Sequence, residues 1–293
     1  MTPADPMPAA LPPVMRPRPP KTAIPAGACD AHVHMVADDI PLWDGRVEDP
    51  APGALLDWVA RLETHLDTLQ MARVVIVHSI LYGGDNTVTR AAVAALGDRA
   101  RGIGLVRDGA PDAELAALAE AGVVGVRLNY VHGGILSWEG VREMAPRLAA
   151  HGLHVQMLMN THRHMIELAP DVPGLGVPVV FDHIGWPDLA AGSAEPGFAA
   201  LCRLVAEGQA YVKLSAPYRL CPAPYDGAAA AIAALVEANP DRCLWGSDWP
   251  HLMLADAAQP DAGDLLNAFL DVVPSDDHRR RILTETPAAL YGF

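Results

Sequence analysis

Asp30-Ala31-His32-Val33-His34 closes the first strand-like run of the chain. In extended backbone successive side chains alternate faces, so His32 and His34 point one way and Val33 the other. Two imidazoles on one face of a strand end make half of a site. The same chain later closes further apolar runs with Phe181-Asp182-His183-Ile184-Gly185 and with Trp245-Gly246-Ser247-Asp248-Trp249-Pro250-His251. Three strand ends thus carry imidazole or carboxylate.

Outward from that stretch, short apolar runs alternate with helix-length segments. The strand candidates are 28–35, 73–79, 101–106, 123–129, 154–159, 178–184, 210–216 and 243–249. Amphipathic or alanine-rich segments fall at 53–70, 86–97, 111–121, 138–151, 161–169, 195–208, 226–239, 260–271 and 275–290. Asp112 is placed to cap the third of these and Gly122 to close it. Strands separated by helices require right-handed parallel crossovers, and eight such units close into an α/β (β/α)8 TIM barrel. A doubly wound sheet would carry a Gly-rich first turn, where this chain has His-Val-His. In a barrel, functional side chains sit at the C-terminal strand ends, which is where these residues fall.

Composition sets limits on the partners. The 293 residues are 51% hydrophobic, enough for one large core, and 21 basic against 35 acidic residues give a net charge of −14. That charge disfavours nucleic acid and anionic membranes. No apolar run reaches the roughly 18 residues of a membrane span. Cys29, Cys202, Cys221 and Cys243 show no C-x-x-C spacing and read as reduced structural residues of a cytoplasmic protein. Residues 1–26, with nine prolines, read as an extended arm that buries little apolar surface, ahead of a single domain over 27–293. Monomer and homodimer are both open.

Several residues invite chemistry. A buried Asp248 must be paired or hydrogen-bonded to stay charged, and beside imidazoles it can deprotonate a water. His183, facing His32 and His34, is suited to polarising a carbonyl. Arg127, inside Gly125-Val126-Arg127-Leu128-Asn129, needs an anion, either a structural partner or a substrate carboxylate. Arg219 can clamp a second carboxylate, Ser79 can donate to substrate, and His251 either reaches the site mouth or faces water. Met157 and Met159 read as core, and His162 and His164 as exposed residues at a helix start.

Five stretches together resemble the amidohydrolase superfamily, in the branch that contains 2-pyrone-4,6-dicarboxylate lactonase. They are D-A-H-V-H at 30–34, G-V-R-L-N at 125–129, V-F-D-H-I-G-W-P-D at 180–188, K-L-S-A-P-Y-R-L at 213–220 and L-W-G-S-D-W-P-H at 244–251. Metal-binding members carry His-x-His on strand one, Lys or Glu on strand four, His on strands five and six and Asp on strand eight. Here strand four offers Arg127, and the only histidine of strand five, His154, lies at its far end. The resemblance therefore implies a metal-free lactonase. By the same resemblance Asp248 is expected to activate water, His32, His34 and His183 to polarise the carbonyl, Arg127 and Arg219 to bind carboxylates, and Ser79 and His251 to support them. The alternatives are one zinc on His32, His34 and Asp248 in a hydrolase or decarboxylase, a lactone isomerase, or a non-catalytic binding protein. One departure bears on substrate. Where the family lactonase has a second arginine after strand four, this chain reads Tyr130-Val131-His132-Gly133-Gly134, so a sugar-acid lactone or another carboxylated lactone is as well supported as the pyrone.

Overall fold

In the computed structural model, which describes residues 7–254 and 257–293, eight parallel strands follow one another around a barrel in chain order. They are β1 (Cys29–Val33), β2 (Arg73–Val77), β3 (Ala100–Gly104), β4 (Val123–Asn129), β5 (His154–Leu158), β6 (Val179–Phe181), β7 (Tyr211–Ser215) and β8 (Cys243–Gly246). Closure comes from β8 back to β1: the His34 amide donates to Trp249 O at 2.7 Å and the Asp248 amide to His32 O at 2.8 Å. The helices are α1 (Leu55–Leu69), α2 (Thr87–Leu96), α3 (Asp112–Glu120), α4 (Trp138–Ala150), α5 (Ile166–Leu168), α6 (Pro196–Ala206), α7 (Ala229–Ala238), α8 (Ala262–Val272), α9 (Asp276–Arg280) and α10 (Thr286–Tyr291).

Each long helix forms because its apolar residues recur at helical spacing. In α1 the buried face is Trp58, Val59, Leu62, Leu66 and Leu69, and it packs into the large cluster between the helices and the outer strand faces. A smaller apolar cluster fills the barrel's lower interior with Cys29, Ala31, Val75, Val77, Ile103, Val180 and Leu244, and Tyr291 plugs the base. His154 lies down there, its ring 5.5 Å from that of Tyr291. Strand five therefore contributes no imidazole to the upper end.

Every strand but β4 is shorter than the run expected from the sequence, and three of the ends bear on the site. β1, β6 and β8 stop at Val33, Phe181 and Gly246, before the charged residues that follow. After β6 and β8 the backbone leaves the sheet in left-handed conformation, with φ of 55° at His183, 61° at Ile184 and 63° at Asp248. Such angles are uncommon outside glycine, and they turn side chains toward the barrel mouth. In β1 the pairing slips by one residue between Asp30, opposite Val74, and Val33, opposite Ile76. This bulge is what turns His32 and His34 to the inner face although Ala31 already points inward. Asp30 pins the bulge, accepting from the amides of His32 at 3.2 Å and Ser247 at 2.9 Å.

Two local expectations change. Asp112 does not cap α3, because Pro111 occupies the cap position; the Asp112 carboxylate instead accepts from Arg147 Nε at 2.7 Å, while Gly122 does follow the helix end at φ 80°. The proline-rich arm, in its described part, lies against the domain. Arg18 N–H donates to Asp261 Oδ1 at 3.0 Å, Arg18 pairs with Asp264 at 2.9 Å, and Pro13, Pro17 and Ile24 are buried. Among the described residues, no helix is long and apolar enough to cross a membrane.

Candidate active site

At the upper end of the barrel the interior becomes polar in two layers. The lower layer is a closed network: Lys213 of β7 donates from Nζ to Gln156 Oε1 at 2.5 Å, and Gln156 Nε2 donates to Asp182 Oδ2 at 3.1 Å. Lys213 and Asp182 are both wholly buried and 3.7 Å apart. Burial lowers Lys213 to about 8 and would be felt more without the charge of Asp182. Asp182 itself stays well below the usual carboxylate range, because His32 and Lys213 outweigh the opposing effect of burial.

The upper layer holds His32, His34, His183 and Asp248. One Asp248 oxygen, Oδ2, accepts from Tyr218 Oη at 2.5 Å and from Arg219 Nε and Nη2 at 3.2 and 3.1 Å. The other, Oδ1, is buried with no hydrogen-bond partner and faces His32 Nε2 at 3.5 Å and His34 Nε2 at 3.4 Å. Burial alone would raise Asp248, but His183, Arg219, His34 and His32 hold it well below its ordinary value. Tyr218 moves the other way: burial and the Asp248 charge push its hydroxyl up, so it remains a donor.

The imidazoles are not equivalent. His34 Nδ1 lies 2.8 Å from Val77 O, and a carbonyl only accepts, so Nδ1 carries a proton and neutral His34 presents a lone pair at Nε2. His32 Nδ1 sits between Asp182 Oδ1 at 3.3 Å and Lys213 Nζ at 3.4 Å. His183 Nδ1 is 2.9 Å from Ser215 Oγ, and burial lowers the ring to about 4, so it is neutral at pH 7. The Ser215 hydroxyl can donate to Nδ1 or accept from it, and donation is the arrangement that puts the His183 proton on Nε2.

A cavity of about 550 Å³ opens over this layer and is lined by His34, His183, Asp248, Arg219 and Arg127 together with apolar side chains. Arg127 projects from β4 and donates from Nη1 to His78 O at 3.0 Å, while its Nε has no partner. Among the described residues it makes no ion pair, so of the two options its position offered, a structural carboxylate is the one the structure does not supply. Arg219 lines the same cavity but is bonded to Asp248 and to the carbonyl oxygens of Leu252 at 2.9 Å and Met253 at 3.4 Å. Ser79 is buried and accepts from the Leu81 amide at 3.4 Å as the cap of a short turn. His251 reaches neither the mouth nor water: buried, it lies edge-on to Tyr218 at 5.4 Å, between Ser247 O and Gln259 Nε2. His162 is exposed and His164 partly so, apart from the site.

Sequence reading passed over Asp182, Lys213, Gln156 and Tyr218. Lys213 carried a signal, since a lysine in mid-strand in a barrel has nowhere to go but the interior.

The amidohydrolase family model matches residues 29–293, nearly the whole described domain. The chain belongs to the amidohydrolase family. Among its relatives in the family, a 2-pyrone-4,6-dicarboxylate hydrolase of Comamonas testosteroni is 33% identical, over 94% of this chain and 93% of the relative. A 4-sulfomuconolactone hydrolase of Rhizobium radiobacter is 34% identical, over 100% of this chain and 99% of the relative. A D-galactarolactone isomerase of Agrobacterium fabrum is 28% identical, over 93% of each. Among solved structures, a probable 2-pyrone-4,6-dicarboxylic acid hydrolase from Acinetobacter baumannii, with citric acid bound, superposes with a TM-score of 0.81 at 25% identity, covering 91% of this chain and 100% of that one.

Proposed function

We propose that this amidohydrolase opens a carboxylated lactone by hydrolysis, with Asp248 as the base. The observation that carries the reading is the bare Asp248 Oδ1, a buried carboxylate oxygen facing two imidazole nitrogens while its partner oxygen is tied to Tyr218 and Arg219. A water seated there donates one hydrogen to Oδ1 and the other to His34 Nε2. Its oxygen attacks the lactone carbonyl, and the proton passes to Oδ1. His183 Nε2–H donates to the carbonyl oxygen as it gains charge, in a site too dry for water to compete. When the ring C–O bond breaks, Asp248 returns the proton to the leaving oxygen, giving the hydroxy acid. Asp248 is a weak base at rest, but it is fully ionised at pH 7, and the water becomes acidic as it adds to the carbonyl.

Arg127 is assigned the substrate carboxylate and Arg219 the positioning of Asp248. Lactone hydrolysis also accords with the names of two relatives, 33% and 34% identical to this chain. We place the enzyme in the cytoplasm, on its free cysteines, as a monomer or homodimer.

A second reading has one observation in its favour. His32 Nε2, His34 Nε2 and Asp248 Oδ1 form a buried group of possible ligands, and their N···O separations of 3.5 and 3.4 Å match the edges of a tetrahedron with bonds of about 2.1 Å. These residues would hold one dication, which when bound lowers the pKa of a coordinated water to near 7. Against it stand Lys213 behind His32 and Arg219 on Asp248, two cations that oppose a third.

A screen of carboxylated lactones, followed by acid release and by product analysis in labelled water, tests the main reading: label enters the product on hydrolysis and not on isomerisation. Absence of turnover across the panel would overturn it. Activity that survives prolonged chelation, in protein holding far less than one equivalent of metal, is expected. Stoichiometric metal with activity restored only on its return would establish the dication.

A further inference from the structure

We infer that the substrate carries one carboxylate, bound by Arg127, and in place of a second anion an apolar substituent that runs past Ile80 toward Trp43 and Ile135. This rests on the lactone-hydrolase reading and narrows it. The first support is the way the site's charges pair in space. Lys213 is matched by Asp182 at 3.7 Å and Arg219 by Asp248 at 3.1 Å, and Glu48, accepting from the Met253 amide at 2.7 Å, adds a further carboxylate on the Arg219 side. Arg127 remains as the one cation lining the cavity without a carboxylate among the described residues. A half-buried cation with no carboxylate in ion-pair reach has room for one anion, and a second anion would find the other two cations already paired.

The second support is the shape and chemistry of the walls. Beyond Arg127 the main cavity adjoins a smaller one of about 130 Å³, which shares Ile80, Arg127 and Asn129 and continues to Trp43, Leu105 and Ile135. Large apolar side chains are seldom left exposed together around a polar site, yet four of them rim these two cavities: Trp43 at 47% exposure, Val47 at 59%, Ile135 at 46% and Met253 at 38%. The third is the segment after β4. Tyr130 turns away to Glu167, its hydroxyl 3.4 Å from the carboxylate, and Gly133 and Gly134 present no side chain at all. These glycines stand beside Trp43 and Ile135, so no cationic side chain from this segment enters the smaller cavity, while His132 and Asn129 face the main one.

Equilibrium binding of stable ring acids by calorimetry separates this from the reaction itself. 4-Butylcyclohexanecarboxylate should bind at least about tenfold tighter than cyclohexane-1,4-dicarboxylate. Arg127→Met should weaken the butyl acid by about tenfold or more. Ile135→Asp should weaken the butyl acid several-fold and leave plain cyclohexanecarboxylate unchanged, and Val47→Arg should move the preference toward the diacid. The inference is overturned if the wild-type protein binds the diacid as tightly as the butyl acid, or if Ile135→Asp treats the tailed and untailed acids alike. Turnover of the matching lactones reads the other question. Hydrolysis with a diacid preference sinks this inference and keeps the lactonase. A monoacid binding preference without hydrolysis of any lactone keeps the pocket assignment and sinks the lactonase.

Discussion

Asp248 does its proposed work through the difference between its two oxygens. Asp248→Asn keeps the shape and loses the proton acceptor, so kcat should fall by about a hundredfold or more, with substrate binding largely kept. Near-normal turnover in that variant would remove Asp248 from the chemistry. Tyr218→Phe deletes a 2.5 Å hydrogen bond to Oδ2 and keeps the aromatic ring in the cavity wall. It should lower kcat by about tenfold and leave KM within about twofold, since the carboxylate rotates more freely while the substrate contacts survive. A loss confined to KM would show that Tyr218 binds substrate instead. Lys213→Met leaves Asp182 buried without its cation, and breaking such a pair costs about 3–5 kcal/mol. Chemical denaturation should show that loss, and a variant as stable as the parent would mean that Asp182 takes up a proton and needs no partner.

At the scale of elements, the site depends on how closely β1 and β8 approach. A Cβ built on Gly246 would lie 2.6 Å from His32 Cβ and 2.7 Å from the His32 amide nitrogen. Gly246→Ala should therefore push β1 away, lowering both kcat and the melting temperature, because the obstacle is backbone and cannot swing aside. If the variant melts and turns over like the parent, the β1–β8 contact is looser than this packing requires. The arm makes the opposite kind of contact, along the start of α8. Gly263 has room for no side chain there, its notional Cβ lying 1.9 Å from Arg18 O. Removing residues 1–24 should lower the melting temperature by a few degrees, since the arm buries Pro13, Pro17 and Ile24, and should raise KM, since residues 8–11 pack against Val47 and Met253 at the cavity rim.

For the whole molecule, acid sensitivity follows from its buried neutral histidines. Burial lowers His78 and His183 to about 4 and His154 and His251 to about 3. Between those values and the ordinary histidine pKa of about 6.5, the unfolded chain binds more protons than the folded one. Stability is thus complete above about pH 6.5 and is lost as pH falls toward 4. Asp182 and Asp248, held low, act in the same direction at still lower pH. Calorimetry should show a melting temperature that drops continuously below neutrality, and a flat profile down to pH 4 would contradict the burial of these rings as neutral groups.

By itself the sequence determined the barrel, because eight apolar runs separated by helix-length segments leave parallel crossovers as the available connection, and it placed His32, His34, His183 and Asp248 at the strand ends. Those are local properties: alternation along a strand and the position of a charge after an apolar run. Tertiary structure decided what each polar group meets. Only closure of the barrel brings Arg219 onto Asp248 and sets Tyr218 rather than His251 against that carboxylate. Only closure sets Lys213 of β7 beneath His32 of β1, residues separated by 181 positions, and leaves Arg127 without a carboxylate. Pairing across the barrel depends on register, on the bulge in β1 and on left-handed turns after β6 and β8, and no periodicity within a single strand encodes which side chains those features bring into contact.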